Sequence, residues 1–249
     1  MELVVTKREN ASILTSPKSV IIGLHEKCQT SIEISTSETY EQHLGNSFVF
    51  ANDLGAWNQA LLDLPESALI KIACGEFLTA ILNLCQGQYR NAFKGLRLVL
   101  ELSLQSVYLS ANLVNREEWL NGEEHTIWAQ LTNELTGPLS PRFCKAFFPE
   151  ILEHTSHFRE LSKTLYTELS ECIHGNIPNQ IPLPTNFSFS EDSFLMWHSK
   201  VETLKLIIHF AFTMRYLRRM PNEHKNKISS MITEQLGHIA AIRDECSKD

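Results

Sequence analysis

The chain has 249 residues, 43% hydrophobic and 20% charged, with a formal net charge of -7 at pH 7. That length permits one large domain or two small ones, with ample chain to bury a core, and the composition is ordinary for a soluble globular protein. The negative balance argues against a protein whose whole surface grips nucleic acid, while leaving room for a local basic patch.

The six cysteines, Cys28, Cys74, Cys85, Cys144, Cys172 and Cys246, form no CxxC pair and no tight cluster with histidines. Neither a zinc site nor a disulfide framework is expected, and no metal or cofactor. Most of these cysteines read as reduced thiols in a cytosolic interior. The opening MELVVTKRENAS lacks the uninterrupted apolar stretch of a signal peptide. The most apolar segment, Leu206 to Met214, is too short to span a bilayer and contains His209. A cytoplasmic protein without membrane association is expected. Gly-rich phosphate loops and a GxSxG nucleophile turn are absent, which argues against P-loop, Rossmann and serine-hydrolase chemistry.

In chain order, residues 1–50 show no helical periodicity. The Ser/Thr/Glu-rich run Thr30 to Thr39 and the short runs Glu2 to Thr6 and Ser19 to Gly23 suggest an irregular arm or a short hairpin. From Trp57 the pattern turns helical. Ala68 to Cys85 is apolar nearly all round, with Ser67 as its cap, and Gly87 marks a break. The next helix, Gln88 to about Leu113, carries Phe93, Leu96, Val99, Leu100, Leu104 and Val107 on one face and Leu98, Leu102 and Leu109 on another, so it should be central. One narrow polar strip remains on it, in which Arg90, Arg97, Glu101 and Tyr108 line up almost along the axis.

A weaker helix is expected from about Glu123 to Leu135, then a turn at Pro138 and Pro141. Pro149 suits the first position of a helix that ends at His174 and Gly175. Its stripe of Phe158, Leu161, Leu165, Leu169 and Cys172 should face the core, with Arg159, Lys163, Ser170 and His174 opposite and Tyr166 at the boundary. Pro178, Pro182 and Pro184 then forbid helix and mark an ordered loop or lid. Two helices close the chain, about Glu191 to Arg219 and Asn222 to Cys246, the last with a stripe of Ile228, Ile232, Leu236, Ile239 and Ile242. The expected fold is all-α: an irregular or short-hairpin N-terminal arm over 1–50, and one bundle of about six to eight helices over 51–249.

Two sets of residues could carry chemistry. Arg97 and Glu101 stand four apart, at ion-pair spacing on a helix. If Tyr166, Ser170 and His174 pack beside them, the product is a cluster in which arginine holds a phosphate and histidine moves a proton. The plainer readings are two solvated faces, and a His174 that caps a helix C-terminus before glycine. The second set is the basic run Met214 to Lys227, with Arg215, Arg218, Arg219 and Lys225 as candidate nucleic-acid contacts. Its plainer reading is a helix C-terminus whose dipole favours cations.

The segments YRNAFKGLRLVLELSLQSVYL and LYTELSECIHGN together resemble the HEPN superfamily of small helical bundles, in particular a bacterial branch with an RxxxE helix and an ELS–HG helix. The resemblance covers roughly Ala68 to Asn176. It implies a bundle that dimerises and, in many members, metal-independent RNA cleavage in toxin–antitoxin or phage-defence settings. Those members carry an Arg, four to six residues, then His. Here His174 matches, but the positions for the arginine are Thr167, Glu168 and Leu169. The expectation is therefore a weak or inactive adaptor or regulatory module, a homodimer with RNA or a defence-system protein as partner. The alternative is a ribonuclease using His174, with Arg97 or Arg159 supplying the cation and Glu101 and Tyr166 in the same site.

Overall fold

Ser16 caps the first described helix: its hydroxyl accepts from the Ser19 N–H at 3.2 Å, and Pro17 fills the first helical position of α1, Pro17–Ser35. The computed structural model describes residues 16–123, 125, 127–174, 183–184 and 186–248, the side chain of His174 excepted. The elements that follow α1 are α2 Glu41–Ala60, α3 Ser67–Cys85, α4 Tyr89–Leu109, α5 Leu113–Leu120, α6 Trp128–Leu131, α7 Pro141–Phe147, α8 Thr155–His174, α9 Glu191–Tyr216, α10 Asn222–Leu236 and α11 Ala240–Cys246. Among the described residues there are thus eleven α-helices and no strand, more helices than the six to eight expected.

The N-terminal arm is the main correction. Residues 17–35 and 41–60 are helical, and Ser19 to Gly23 is part of α1 rather than a strand. The Glu2 to Thr6 expectation lies outside the described residues. In the Ser/Thr-rich run, hydroxyls bond back to the preceding turn, Thr30 to the Glu26 carbonyl at 3.1 Å and Thr36 to that of Ile32 at 2.8 Å, which lets the helix absorb them. Small buried Ser31 and Ser35 then let α1 approach the end of α3, Ser35 reaching the Cys85 carbonyl at 3.5 Å. In α2, Leu44, Phe50, Leu54 and Trp57 are buried and belong to the same core as the later helices.

Around α4 the rest is assembled. Phe93, Leu96, Val99, Leu100, Leu104 and Val107 are all fully buried. Gly87, at φ 72°, turns the chain between α3 and α4, and the Gln88 N–H reaches back to the Asn83 carbonyl at 2.8 Å to close the end of α3. Gly95 lets the two helices touch: a Cβ there would stand 2.6 Å from that of Ala80. By length and composition α3 could also cross a membrane, but its Ile70, Ala73, Phe77, Ala80 and Leu84 are core. The 26-residue α9 crosses the bundle with nearly its whole second half buried, and Phe210 stacks on Phe158 of α8 at 3.8 Å.

Three expectations about helix ends also change. The helix expected from Glu123 shrinks to the single turn of α6, α7 forms where a turn was expected, the last helix breaks at Gly237 into α10 and α11, and α5 fills a stretch with no assigned element. Pro149 opens a 3-10 turn, Pro149–His154, that feeds α8 rather than α8 itself. Of the proline-rich stretch, 175–182 and 185 lie outside the described residues, so the lid expectation does too.

Candidate functional site

The polar strip of α4 meets α8. Arg90 Nη1 donates to the Ile173 carbonyl at 2.9 Å, and Arg97 Nη2 donates to the Tyr166 hydroxyl at 2.5 Å. The register rises along α4 as it falls along α8, so the helices run antiparallel and the strip forms a ladder along the seam. Arg97 Nε also pairs with Glu101 at 3.1 Å, and its guanidinium lies 4.4 Å above the Tyr166 ring centroid. Trp128 of α6 stacks on the same ring at 3.9 Å and 9°. Burial, with the Glu101 carboxylate beside it, pushes the Tyr166 phenol above its ordinary range although the Arg97 charge opposes this, so it stays a neutral hydroxyl at physiological pH.

Arg97, Glu101 and Tyr166 are therefore brought together. His174 ends α8, and its side chain lies outside the described residues. Eight residues separate it from Tyr166, about 12 Å along a helix axis, so Arg97 stands two turns away. Arg90 is level with the last turn instead. Its bond to Ile173, with a longer one to the Cys172 carbonyl at 3.5 Å, caps carbonyls that α8 itself cannot pair. The sequence signal for this was present, since Arg90 and Arg97 stand seven apart on one strip.

Arg159 departs from its expected face. It is buried, with Nη2 3.1 Å from Glu134 and Nε 3.5 Å from Glu160. Fifteen residues before His174, it sits about 22 Å away along the axis. The predicted core stripe of α8 is as expected: Phe158, Leu165, Leu169 and Cys172 are buried and Leu161 packs against them.

The basic run is broken up by its surroundings. Lys225 is buried 3.4 Å from Glu245, and Arg218 is held by Glu150 at 2.6 Å and Glu245 at 3.4 Å while lying 4.0 Å over Phe148. Arg215 donates to the Ser110 hydroxyl at 2.6 Å and carbonyl at 3.0 Å. Arg215 and Arg219 lie over the Phe147 ring at 4.3 and 4.9 Å. Glu150 and Glu245 come from distant parts of the chain, which is why a local count of charges showed an open basic strip where two of the four cations are neutralised.

Two buried histidine arrangements between α2 and α9 went unread in the sequence. Trp57 Nε1 donates to His209 Nδ1 at 3.2 Å, leaving Nε2 with the proton 3.3 Å from the Asp53 carboxylate. With its one lone pair taken by the indole, His209 cannot serve as a general base. His198 meets the Ser47 hydroxyl at 2.9 Å, and burial, with the nearby His43 ring second, lowers its pKa to about 3. Both rings act as core polar groups. Burial likewise pushes the Cys144 thiol up to about 12, which makes it a poor nucleophile. Among the described residues no three His, Cys, Asp or Glu side chains gather into a metal-binding set.

Compared with known proteins, the chain matches no family model, no curated protein and no solved structure.

Proposed function

We propose that the chain is a HEPN-like cytoplasmic bundle that works by binding: an adaptor or regulatory module of bacterial stress or phage defence, homodimeric, with RNA or a partner protein as its target. The observation that carries the non-catalytic reading is the commitment of both arginines that could replace the missing motif cation. Arg97 is spent on Glu101 and Tyr166, and Arg159 is buried beside Glu134 and Glu160. A guanidinium paired to a carboxylate has little charge left for a developing phosphate anion.

A second reading, a metal-independent ribonuclease using His174, is favoured by one contact. Arg90 brings a guanidinium to the carbonyl of Ile173, the residue just before His174. In such chemistry the RNA 2′-hydroxyl attacks phosphorus, histidine handles the proton and arginine stabilises the developing charge. Labelled single-stranded RNA in EDTA, followed for both anisotropy and strand length, separates the two. Binding without shortening supports the first reading. Shortening that disappears in Arg90→Ala and persists in Arg97→Ala establishes the second.

A further inference from the structure

A cavity of about 350 Å³ opens where the end of α2 meets the end of α9 and the start of α10. It is separate from the α4/α8 seam. Its lining combines apolar Leu61, Leu64 and Met220 with Arg215, Arg219 and His224. We propose that it binds a small amphipathic monoanion, an apolar body ending in a carboxylate or phosphate head.

The cations are arranged as ligand groups are. Arg215 and Arg219 both lie over the Phe147 ring, which keeps two like charges near each other, and among the described residues Arg215 hydrogen-bonds to the neutral groups of Ser110. Arg219 has no carboxylate within ion-pair distance among the described residues, whereas Arg218 beside it has two. An anion in the cavity would meet in Arg219 a charge not yet answered by a carboxylate, whereas Arg215 already feels the Glu66 carboxylate. His224 is fixed in orientation: its Nδ1 lies 2.9 Å from the Ala60 carbonyl, which can only accept, so Nδ1 carries the proton and Nε2 offers the ligand an acceptor, which suits the P–OH of a monoanionic phosphate and not a carboxylate. The apolar lining has no use for a bare phosphate or an RNA backbone, but it suits an acyl chain or aromatic ring. Asp63 also lines the cavity, and its charge disfavours heads with more than one negative charge.

Calorimetry and thermal shift with octanoate and octyl phosphate at about pH 5.5, where each head carries about one negative charge, test this, with octan-1-ol and inorganic phosphate as comparators on wild type, Arg219→Ala and Leu64→Asp. Arg219 and Leu64 are both at least a third exposed, so each variant should fold, and its own unliganded Tm is the baseline for its shift. Octanoate or octyl phosphate should bind wild type and raise its Tm, while the alcohol and the free phosphate bind at least about tenfold more weakly. Each variant should weaken the amphiphile by about tenfold or more. No binding of either amphiphile up to its solubility limit overturns the proposal, and so does binding that both variants leave unchanged. A short RNA that needs Arg219 while both amphiphiles fail would make this face a nucleic-acid contact instead.

Discussion

At the scale of single residues, the seam is a coupled group rather than a set of independent charges. Arg97 bonds Tyr166, pairs with Glu101 and covers an aromatic ring, all while about a quarter exposed at 26%. Solvent screening keeps each contact modest, so Tyr166→Phe should cost about 1 kcal/mol and Arg97→Ala roughly 1 to 2. The double mutant should lose at least ~0.5 kcal/mol less than the sum; strict additivity in urea denaturation would show that the contacts do not share energy. His198 gives a pH signature. Its folded pKa of about 3 lies below the ordinary histidine value, so the unfolded chain binds the extra proton between the two. Stability is then full above about pH 6.5 and falls as pH drops through that window, by about 2 kcal/mol at pH 5. His198→Gln should flatten that slope, and an unchanged slope would assign it to other groups. The seam was half legible in the sequence: the 7- and 4-residue spacings aligned Arg90, Arg97 and Glu101 on one strip. Which residue of α8 each would meet was not, because a helical wheel is silent on the partner's register. The neutralised basic run was illegible for a related reason, since Glu150 and Glu245 reach it only through the fold.

At the scale of elements, close helix contact makes the sharpest forecast. Gly95→Ala must push Ala80 aside across the α3/α4 contact, which should destabilise by roughly 1 to 3 kcal/mol. Gly45→Ala in α2 meets nothing within 4 Å and removes unfolded-state freedom, so it should stabilise by about 0.4 to 1 kcal/mol. Opposite shifts in Tm are expected, and two shifts of the same sign would contradict the packing described. The same elements explain what could be read in advance. In α4, α8 and α10 a 3.6-residue period of large aliphatic residues marks the buried face, and the structure buries it. In α1 the buried positions are Ser31 and Ser35, which carry no hydrophobic signal, and in α2 the buried Leu44, Phe50, Leu54 and Trp57 are interleaved with Ser47 and exposed Phe48 and Val49. Helices that pack through small or polar residues look like loops to any reading based on hydropathy.

At the scale of the whole molecule, apolar surface remains after the core is filled. Ile72, Leu78 and Leu82 on α3, Val20, Ile21 and Ile22 on α1 and Phe48 and Val49 on α2 are all exposed. The proposed homodimer would cover part of this surface, so light scattering at micromolar concentration should give twice the 28.4 kDa chain mass. The monomer mass would remove the dimer from the account. In the proposed role the bundle binds without cleaving, because Arg97 and Arg159 are held by Glu101 and Glu134. Loss of one positioned phosphate-stabilising group costs a site about 100- to 1000-fold in rate. The most direct test is the initial rate of single-stranded RNA cleavage in EDTA, wild type against His174→Ala at equal concentration. Equal rates, both at the protein-free background, are predicted; wild-type cleavage well above background that vanishes in His174→Ala would contradict the account.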